Sequence, residues 1–316
     1  MVFYAFLAHM KGIVLISLVI QLFSVVFWNL ENYFDYSDSG GGPSDTEFSP
    51  HGAKRWTRKR FDRKTALIAK TILWSGAPPV VGVAEVENRF VLQHLVKDDI
   101  LRKFHYSFVH FESADHRGID VGMLYRTDSF TVHKAWPIRL GNVHTRDILY
   151  VCLKERSSGT LWHFFVNHHP SKFSGNAATS SLRKQAMTLL RSSVDSLLAA
   201  GQTNIVAMGD FNDSPYSEAF TIVEGSLVNL GMRMVNEASN RNNCGSIRYR
   251  GKWELIDNFL ISKQLDTKIR METLRPPFLM EQDRSYPGEK PKRTFTGPRY
   301  NGGVSDHCPV KLTVVH

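Results

Sequence analysis

Cysteine is scarce in this 316-residue chain, and its three copies, Cys152, Cys244 and Cys308, are odd in number and widely spaced. That argues against a disulfide framework and a CxxC-type zinc site, leaving three small core residues, with one pair of the Cys152–Cys244 type open if the chain is exported. No internal repeat and no block of like charge divides the sequence. A long apolar run is missing as well. The nearest approach, Ile13 to Ile20 followed by Leu22 and Phe23, reaches the ~20 residues of a bilayer span only if it continues through Ser24 to Asn29. Preceded by Lys11, it has the n-region and h-region of a secretory signal, and Met10 resembles the start of one. The expected division is a signal peptide or N-terminal extension over residues 1–23 and one α/β domain over residues 24–316, without a stable membrane span. Export to the periplasm or beyond follows if the signal is cleaved; an ordinary buried N-terminal strand would leave the chain in the cytoplasm.

What is present is ample. A composition of 42% hydrophobic and 22% charged residues supplies a sizeable core and excludes disorder as the main state. Thirty-nine Lys and Arg against thirty Asp and Glu give a net charge of +9, which suits polyanionic partners without specifying one. Short β-like apolar runs alternate with helical patterns, the signature of an α/β domain. Ser181 to Ala199 places Leu182, Ala186, Leu189, Leu190, Val194 and Leu197 on one helical face with Gly201 as a stop signal, and Phe61 to Leu73 and Phe90 to Leu101 read similarly. Two stretches read as irregular, Ser37 to Glu47 and Arg275 to Val304. The second interleaves Lys290, Lys292, Arg293 and Arg299 with Phe295 and Tyr300, a mix that suits a phosphate backbone and a stacked base, or equally a solvated basic loop.

Six segments place chemically capable residues at the edges of apolar strands. SVVFWNLEN presents Asn29 and Glu31; VVGVAEVEN presents Glu85; FFVNHHPSK presents Asn167, His168 and His169; NIVAMGDFND presents Asp210 and Asn212. Two segments reverse the order, with Asp257 before the run Asn258 to Ile261 and Ser305-Asp306-His307 before Val310 to Val315. In an antiparallel pair the start of one strand lies beside the end of its neighbour, so both kinds of position can converge on one edge. So many carboxylates in one pocket resist ionisation without a cation. Oxygen donors without thiolates or paired histidines favour Mg²⁺ or Mn²⁺ over zinc. Histidines beside them suggest phosphate, because an imidazole N–H can donate to non-bridging oxygens as charge builds.

WNLEN, the glutamate of VAEVEN, VNHHPS, GDFND, the aspartate of LIDNFLIS and SDHCPV stand in the order found in the endonuclease/exonuclease/phosphatase superfamily, which the chain resembles from Val25 to Val314. The resemblance implies a four-layer α/β sandwich, two mixed β-sheets packed face to face and flanked by helices. It also implies roles: Glu85 as principal metal ligand with Glu31 and Asp306 nearby, and Asp210 orienting or deprotonating the attacking water with help from Asn212. Asn29 would hold that network and the phosphate. His307, oriented by Asp257, and His168 would contact the scissile phosphate. Asp120 of RGIDVGMLYR is the expected partner of His168, and Arg126, closing the same strand, is divided between phosphate contact and salt bridge.

Other readings stand beside these. His169 reads as a packing or surface residue, Trp28 and Trp253 as core, and Asn29 and Asn212 double as turn formers. The run Lys54 to Arg60 is a solvated helix start or part of a substrate rim. The leading functional expectation is a Mg²⁺-dependent hydrolase of phosphodiester bonds in nucleic acid, acting as a monomer. A phosphatase or phospholipid phosphodiesterase keeps the chemistry and changes the substrate, and a non-catalytic binding protein is disfavoured because no expected catalytic group is missing.

Overall fold

Alternation along the strands assigns each side chain to a layer. In β1 (Leu22–Tyr33), Val25 and Phe27 face one way and Val26, Trp28 and Leu30 the other, and both sets are buried. A strand apolar on both faces must be covered on both. The computed structural model describes residues 22–38, 43–141, 143–172, 176–239, 244–266 and 269–315. The secretory-type run Ile13 to Ile20 lies outside the described residues, and β1 begins at Leu22.

From β1 the chain continues through α1 (Pro43–Glu47), α2 (Arg58–Trp74), β2 (Val80–Val86), α3 (Arg89–Val96), β3 (Tyr106–His110), β4 (Asp120–Arg126), β5 (Phe130–Ile138), β6 (Ile148–Glu155) and β7 (Leu161–His168). It then forms α4 (Asn176–Ala199), β8 (Ile205–Asp210), α5 (Glu218–Thr221), β9 (Leu227–Asn229), α6 (Leu230–Glu237), β10 (Ile247–Tyr249), β11 (Lys252–Glu254), β12 (Asp257–Ser262) and β13 (Ile269–Thr273). Four short strands follow, β14 (Met280–Gln282), β15 (Glu289–Pro291), β16 (Phe295–Thr296) and β17 (Arg299–Tyr300), before β18 (Val310–Val315). The stretch Arg275 to Val304 is thus built of two small hairpins, β14–β15 and β16–β17, where the sequence suggested an irregular loop.

Two six-stranded sheets result, in the orders β13-β18-β1-β2-β4-β3 and β5-β6-β7-β8-β12-β9. Each contains one parallel pair, β1–β2 or β7–β8, among antiparallel neighbours. Between the sheets lie Val25, Phe27, Met123, Phe164, Val166, Val206, Met208, Phe259 and Leu312. The outer face of the first sheet packs on α2 and α3 through Val26, Trp28, Phe61, Ile68 and Leu92. That of the second packs on α4 and α5 through Phe165, Ala207, Met187, Leu190 and Phe220. The four layers of helix, sheet, sheet and helix follow from this double coverage. Cys152, Cys244 and Cys308 are all free. No helix among the described residues is long and apolar enough to cross a membrane.

Gly209, paired with Asn167 across β7 and β8, shows how tightly the strand ends are set. A Cβ there would lie 2.4 Å from the Asn167 carbonyl oxygen and 2.6 Å from its Cβ. Gly209→Ala should therefore lower unfolding stability by roughly 1–3 kcal/mol, as overpacking does. A denaturant midpoint unchanged from the wild type would contradict this packing.

Candidate active site

The two parallel pairs end on the same side of the sandwich and carry polar residues there. Asn29 stands opposite Ala84, so Glu85 follows at the tip of β2, and His168 stands opposite Asp210. Antiparallel partners begin where these strands end: Asp257 opens β12 opposite Asp210, and β18 starts with Val310 opposite Phe27. That leaves Ser305-Asp306-His307 just before β18, pinned by Ser305 Oγ donating to the Asn29 carbonyl at 2.7 Å. Trp28 Nε1 donates to the His307 carbonyl at 2.8 Å, so this core residue also fixes the motif.

The backbone bends sharply at these tips. Glu31, Asn32, Glu85 and Asn212 have φ of 47°, 54°, 59° and 50°, a left-handed conformation uncommon outside glycine. Pairing shifts register between Asn29 and Tyr33 and between Ala84 and Val86, where the carboxylates leave the sheet. The buried Lys64 ammonium stabilises the first bend, donating to the carbonyls of Glu31 at 2.5 Å and Asn32 at 3.4 Å and to Thr294 Oγ1 at 3.0 Å. Burial pushes its pKa down to about 8.

Asp210 is the hub. Its Oδ2 accepts from Asn29 Nδ2 at 3.0 Å, and its Oδ1 accepts from the Asn212 backbone N–H at 2.9 Å. The same Oδ2 lies 3.7 Å from His168 Nε2 and 3.8 Å from His307 Nε2. The two imidazoles are shifted in opposite directions. Burial, reinforced by the guanidinium groups of Arg146 and Arg117, holds His168 well below the usual histidine range. Burial alone would lower His307 too, but Asp257 Oδ2, 2.7 Å from its Nδ1, holds it well above that range, assisted by Asp210 and Asp306. Asp210 is itself pushed up to about 7 by burial and then by Asp257, with His307 opposing.

Beside this hub three carboxylates adjoin. Arg293 Nε and Nη2 lie 2.7 and 2.6 Å from Glu31 Oε1, and Nη2 is 3.2 Å from Asp306 Oδ2. Asn32 donates its N–H to Glu85 Oε2 at 2.8 Å, and Arg117 Nη2 lies 3.5 Å from the same oxygen. Burial, then the charge of Asp306, pushes Glu31 up to about 8. Among the described residues its Oε2 is buried without a hydrogen-bond partner, an orphaned acceptor of the kind a bound cation would satisfy. Glu31, Glu85 and Asp306 offer oxygen donors of the kind a hard divalent ion takes, while the ligand atoms that converge within 4.8 Å of one another at this edge are those of Asp210, Asp257 and His307.

The structure therefore brings Asn29, Glu31, Glu85, His168, Asp210, Asn212, Asp257, Asp306 and His307 to one edge. The expected pairing of Asp120 with His168 does not hold, and of the two readings of Arg126 the salt bridge is the one found. Asp120 accepts from the Ser113 N–H at 2.9 Å and lies 3.2 Å from His110 Nε2, while His168 Nδ1 finds no hydrogen-bond partner among the described residues. The β2–β4 register sets Asp120 opposite Val86, one residue past the tip, so it serves the neighbouring loop. Arg126 ends the same strand at its far end and pairs with Asp128, so it is a salt-bridge residue remote from the cluster. His169 is buried, with its ring edge against Phe211. Trp253 is only half-buried, and Arg275 stacks 3.7 Å above it. In the basic-aromatic stretch, Phe295 is buried against Trp56 and Phe48, and Tyr300 lies beneath Arg60, so neither ring is a free stacking surface.

Lys64, Arg117 and Arg146 escape a reading of motifs. Lys64 left a signal, since it falls between Phe61 and Ile68 on the buried face of α2. Arg146 donates to Asp115 Oδ2 at 2.9 Å and to the His169 carbonyl at 2.8 Å, anchoring the loop that carries Arg117, and nothing local in the sequence announces that contact.

A family model described as Endonuclease/Exonuclease/phosphatase family matches residues 24–316. No curated protein matches the chain by sequence. Among solved structures, it is similar to an endonuclease/exonuclease/phosphatase family protein from Bacteroides thetaiotaomicron (TM-score 0.60, 16% identity, covering 94% of this chain and 98% of that one). It is also similar to a mannosyl-6-phosphatase of Bacteroides thetaiotaomicron (TM-score 0.60, 16% identity, 93% and 99% covered). A third is D. rerio TDP2 complexed with single strand DNA product (TM-score 0.54, 16% identity, 92% and 98% covered). At these identities the structural likeness concerns the fold.

The His307–Asp257 pair makes a signed expectation. Because the folded-state pKa of His307 is raised, its contribution to stability is complete below the unfolded value and is lost as pH rises through the folded one. Asp257→Asn removes the anion, so an NMR titration of the His307 ring should give a lower midpoint, and the alkaline loss of stability should shrink. An unchanged midpoint would show that Asp257 does not hold the proton on His307.

Proposed function

The chain belongs to the endonuclease/exonuclease/phosphatase family, and from that premise we propose that it hydrolyses phosphodiester bonds with a divalent cation, Mg²⁺ or Mn²⁺. The observation that carries this reading is the set around Asp210: one carboxylate Oδ2 with His168 Nε2 at 3.7 Å and His307 Nε2 at 3.8 Å, beside three further carboxylates. Held by Asn29 and the Asn212 N–H, Asp210 is placed to orient a water and accept its proton during in-line attack on phosphorus. His307, kept protonated by Asp257, donates from Nε2 to a non-bridging phosphate oxygen as negative charge builds. His168, neutral, offers a second N–H from Nε2 without adding charge that would oppose His307. Glu85, Glu31 and Asp306 would hold the ion, which supplies electrostatic stabilisation of the phosphoryl and leaving oxygens when bound.

Nucleic acid is the proposed substrate class, supported by the net charge of +9 and by the exposed Arg55, Arg58 and Lys59 at the start of α2. A phosphatase or a phospholipid phosphodiesterase with the same machinery is the second reading. It is favoured by the burial of Phe295, which takes away the aromatic platform a nucleobase would use.

One assay set separates these readings: the purified full chain with Mg²⁺ or Mn²⁺ against plasmid, single-stranded and abasic DNA, RNA, phosphomonoesters and sphingomyelin. EDTA should abolish turnover, and Asp210→Ala and His307→Ala should each lower kcat by about 10²–10⁴-fold, the range for loss of a general base or acid. Turnover that persists fully in EDTA or in both variants would falsify the assignment. DNA binding should weaken steeply as salt rises; binding indifferent to salt would remove nucleic acid from the substrate class.

A further inference from the structure

Arg293 reaches two of the site's carboxylates at once. Its guanidinium spans Glu31 Oε1 and Asp306 Oδ2, residues that arrive from opposite ends of the chain. The root of this side chain is fixed. The Arg293 carbonyl accepts from the Gly303 N–H at 3.2 Å, and the neighbouring Lys292 carbonyl accepts from the Val304 N–H at 2.9 Å. Thr294 Oγ1 bonds the Val304 carbonyl at 2.7 Å and receives the Lys64 ammonium. Gly303 is required there, since a Cβ would meet the Lys292 carbonyl oxygen at 1.9 Å. The backbone of Arg293 is thus clamped to the strand-like segment that leads directly into Asp306 and His307. Its head is free by comparison, with the side chain 48% exposed against 8% for Glu31. A cavity of about 310 Å³ opens beside it, lined by Glu31, Asn32, Arg117 and Arg293 among others.

A divalent ion held by Glu31 and Asp306 would use the charge that Arg293 now neutralises. Two cations a few ångströms apart repel, less strongly where solvent reaches the guanidinium, and ion and guanidinium compete for the same oxygens. The fork of a guanidinium suits both positions, since it binds paired carboxylates and phosphate with the same geometry.

We propose that Arg293 is the resident counter-ion of the metal site: it neutralises Glu31 and Asp306 until a divalent cation displaces it, and then turns to a non-bridging phosphate oxygen of the substrate in the adjoining cavity. Ion loading is thereby coupled to anion binding through one positioning residue. This rests on the metal-dependent reading given above.

The test is calorimetric titration of the full chain with Mn²⁺ in the absence of substrate, for wild type, Arg293→Gln and Glu85→Gln, followed by titration of the Mn²⁺-saturated proteins with inorganic phosphate. Removing the competing charge should tighten Mn²⁺ binding about tenfold in Arg293→Gln and weaken phosphate binding by a comparable factor. Arg293→Lys keeps a charge but cannot span both carboxylates, and should fall between the two proteins in each titration. It also serves as the readout if the glutamine variant fails to fold. A purely structural ion pair predicts the reverse for the metal, and Mn²⁺ affinity that is unchanged or weaker in folded Arg293 variants would overturn the proposal. Wild-type protein that shows no Mn²⁺ binding sensitive to Glu85→Gln would instead remove the metal-dependent reading on which it stands.

Discussion

Five carboxylates, Glu31, Glu85, Asp210, Asp257 and Asp306, are gathered at one edge of two stacked sheets, and the need to compensate them organises everything nearby. Like charges in a desolvated cleft oppose their own ionisation, and burial and the charges of neighbouring aspartates push Glu31 and Asp210 upward together. The compensation is distributed. Arg293 spans Glu31 and Asp306, Arg117 approaches Glu85, His307 holds a proton against Asp257, and Lys64 supports the Glu31 bend from beneath. Arg293 and His307 each face more than one carboxylate, and among the described residues Glu31 Oε2 finds no hydrogen-bond partner. The divalent cation proposed above would meet that demand with one concentrated charge.

The fold creates this edge through a repeated device. Each sheet holds one parallel pair whose strands end together, flanked by antiparallel neighbours that start where they stop, β18 and β4 in one and β12 and β6 in the other. Two copies of that arrangement, packed face to face, deliver groups from β1, β2, β7, β8 and β12 and from the approach to β18. Left-handed backbone at Glu31, Glu85 and Asn212 turns those groups out of the pleat, at a conformational cost that the surrounding hydrogen bonds offset. Sheet architecture sets where the chemistry can be, and local strain sets where the side chains point.

Much of this was legible from the residues. Apolar runs that stop at Asn29, Glu85, His168 and Asp210, and runs that begin after Asp257 and His307, mark strand ends on polarity alone, and the reversal of order between the two groups announces their convergence. Helix α2 follows its apolar spacing, with boundaries three residues earlier and one later than the reading of Phe61 to Leu73. What was hidden depended on side chains meeting across long sequence separations. Arg293 and Glu31 are 262 residues apart, and no local pattern distinguishes that arginine from Arg299 in the same stretch. Asp120 misled because its strand runs to the same edge, while the register places it beside His110. Phe295 misled for a different reason: alternation of basic and aromatic residues has the same pattern whether the rings face solvent or, as here, pack inward on Trp56 and Phe48.

The proposed cation site of Glu31, Glu85 and Asp306, held ready by neighbouring positive charges, is the centre of this mechanism. Anomalous diffraction from crystals soaked in Mn²⁺ tests it directly. One strong anomalous peak is expected within ligand distance of Glu85 and near Glu31 and Asp306, with the Arg293 guanidinium displaced from its position between the carboxylates. A peak absent from that position at saturating Mn²⁺, or present with Arg293 unmoved, would contradict it.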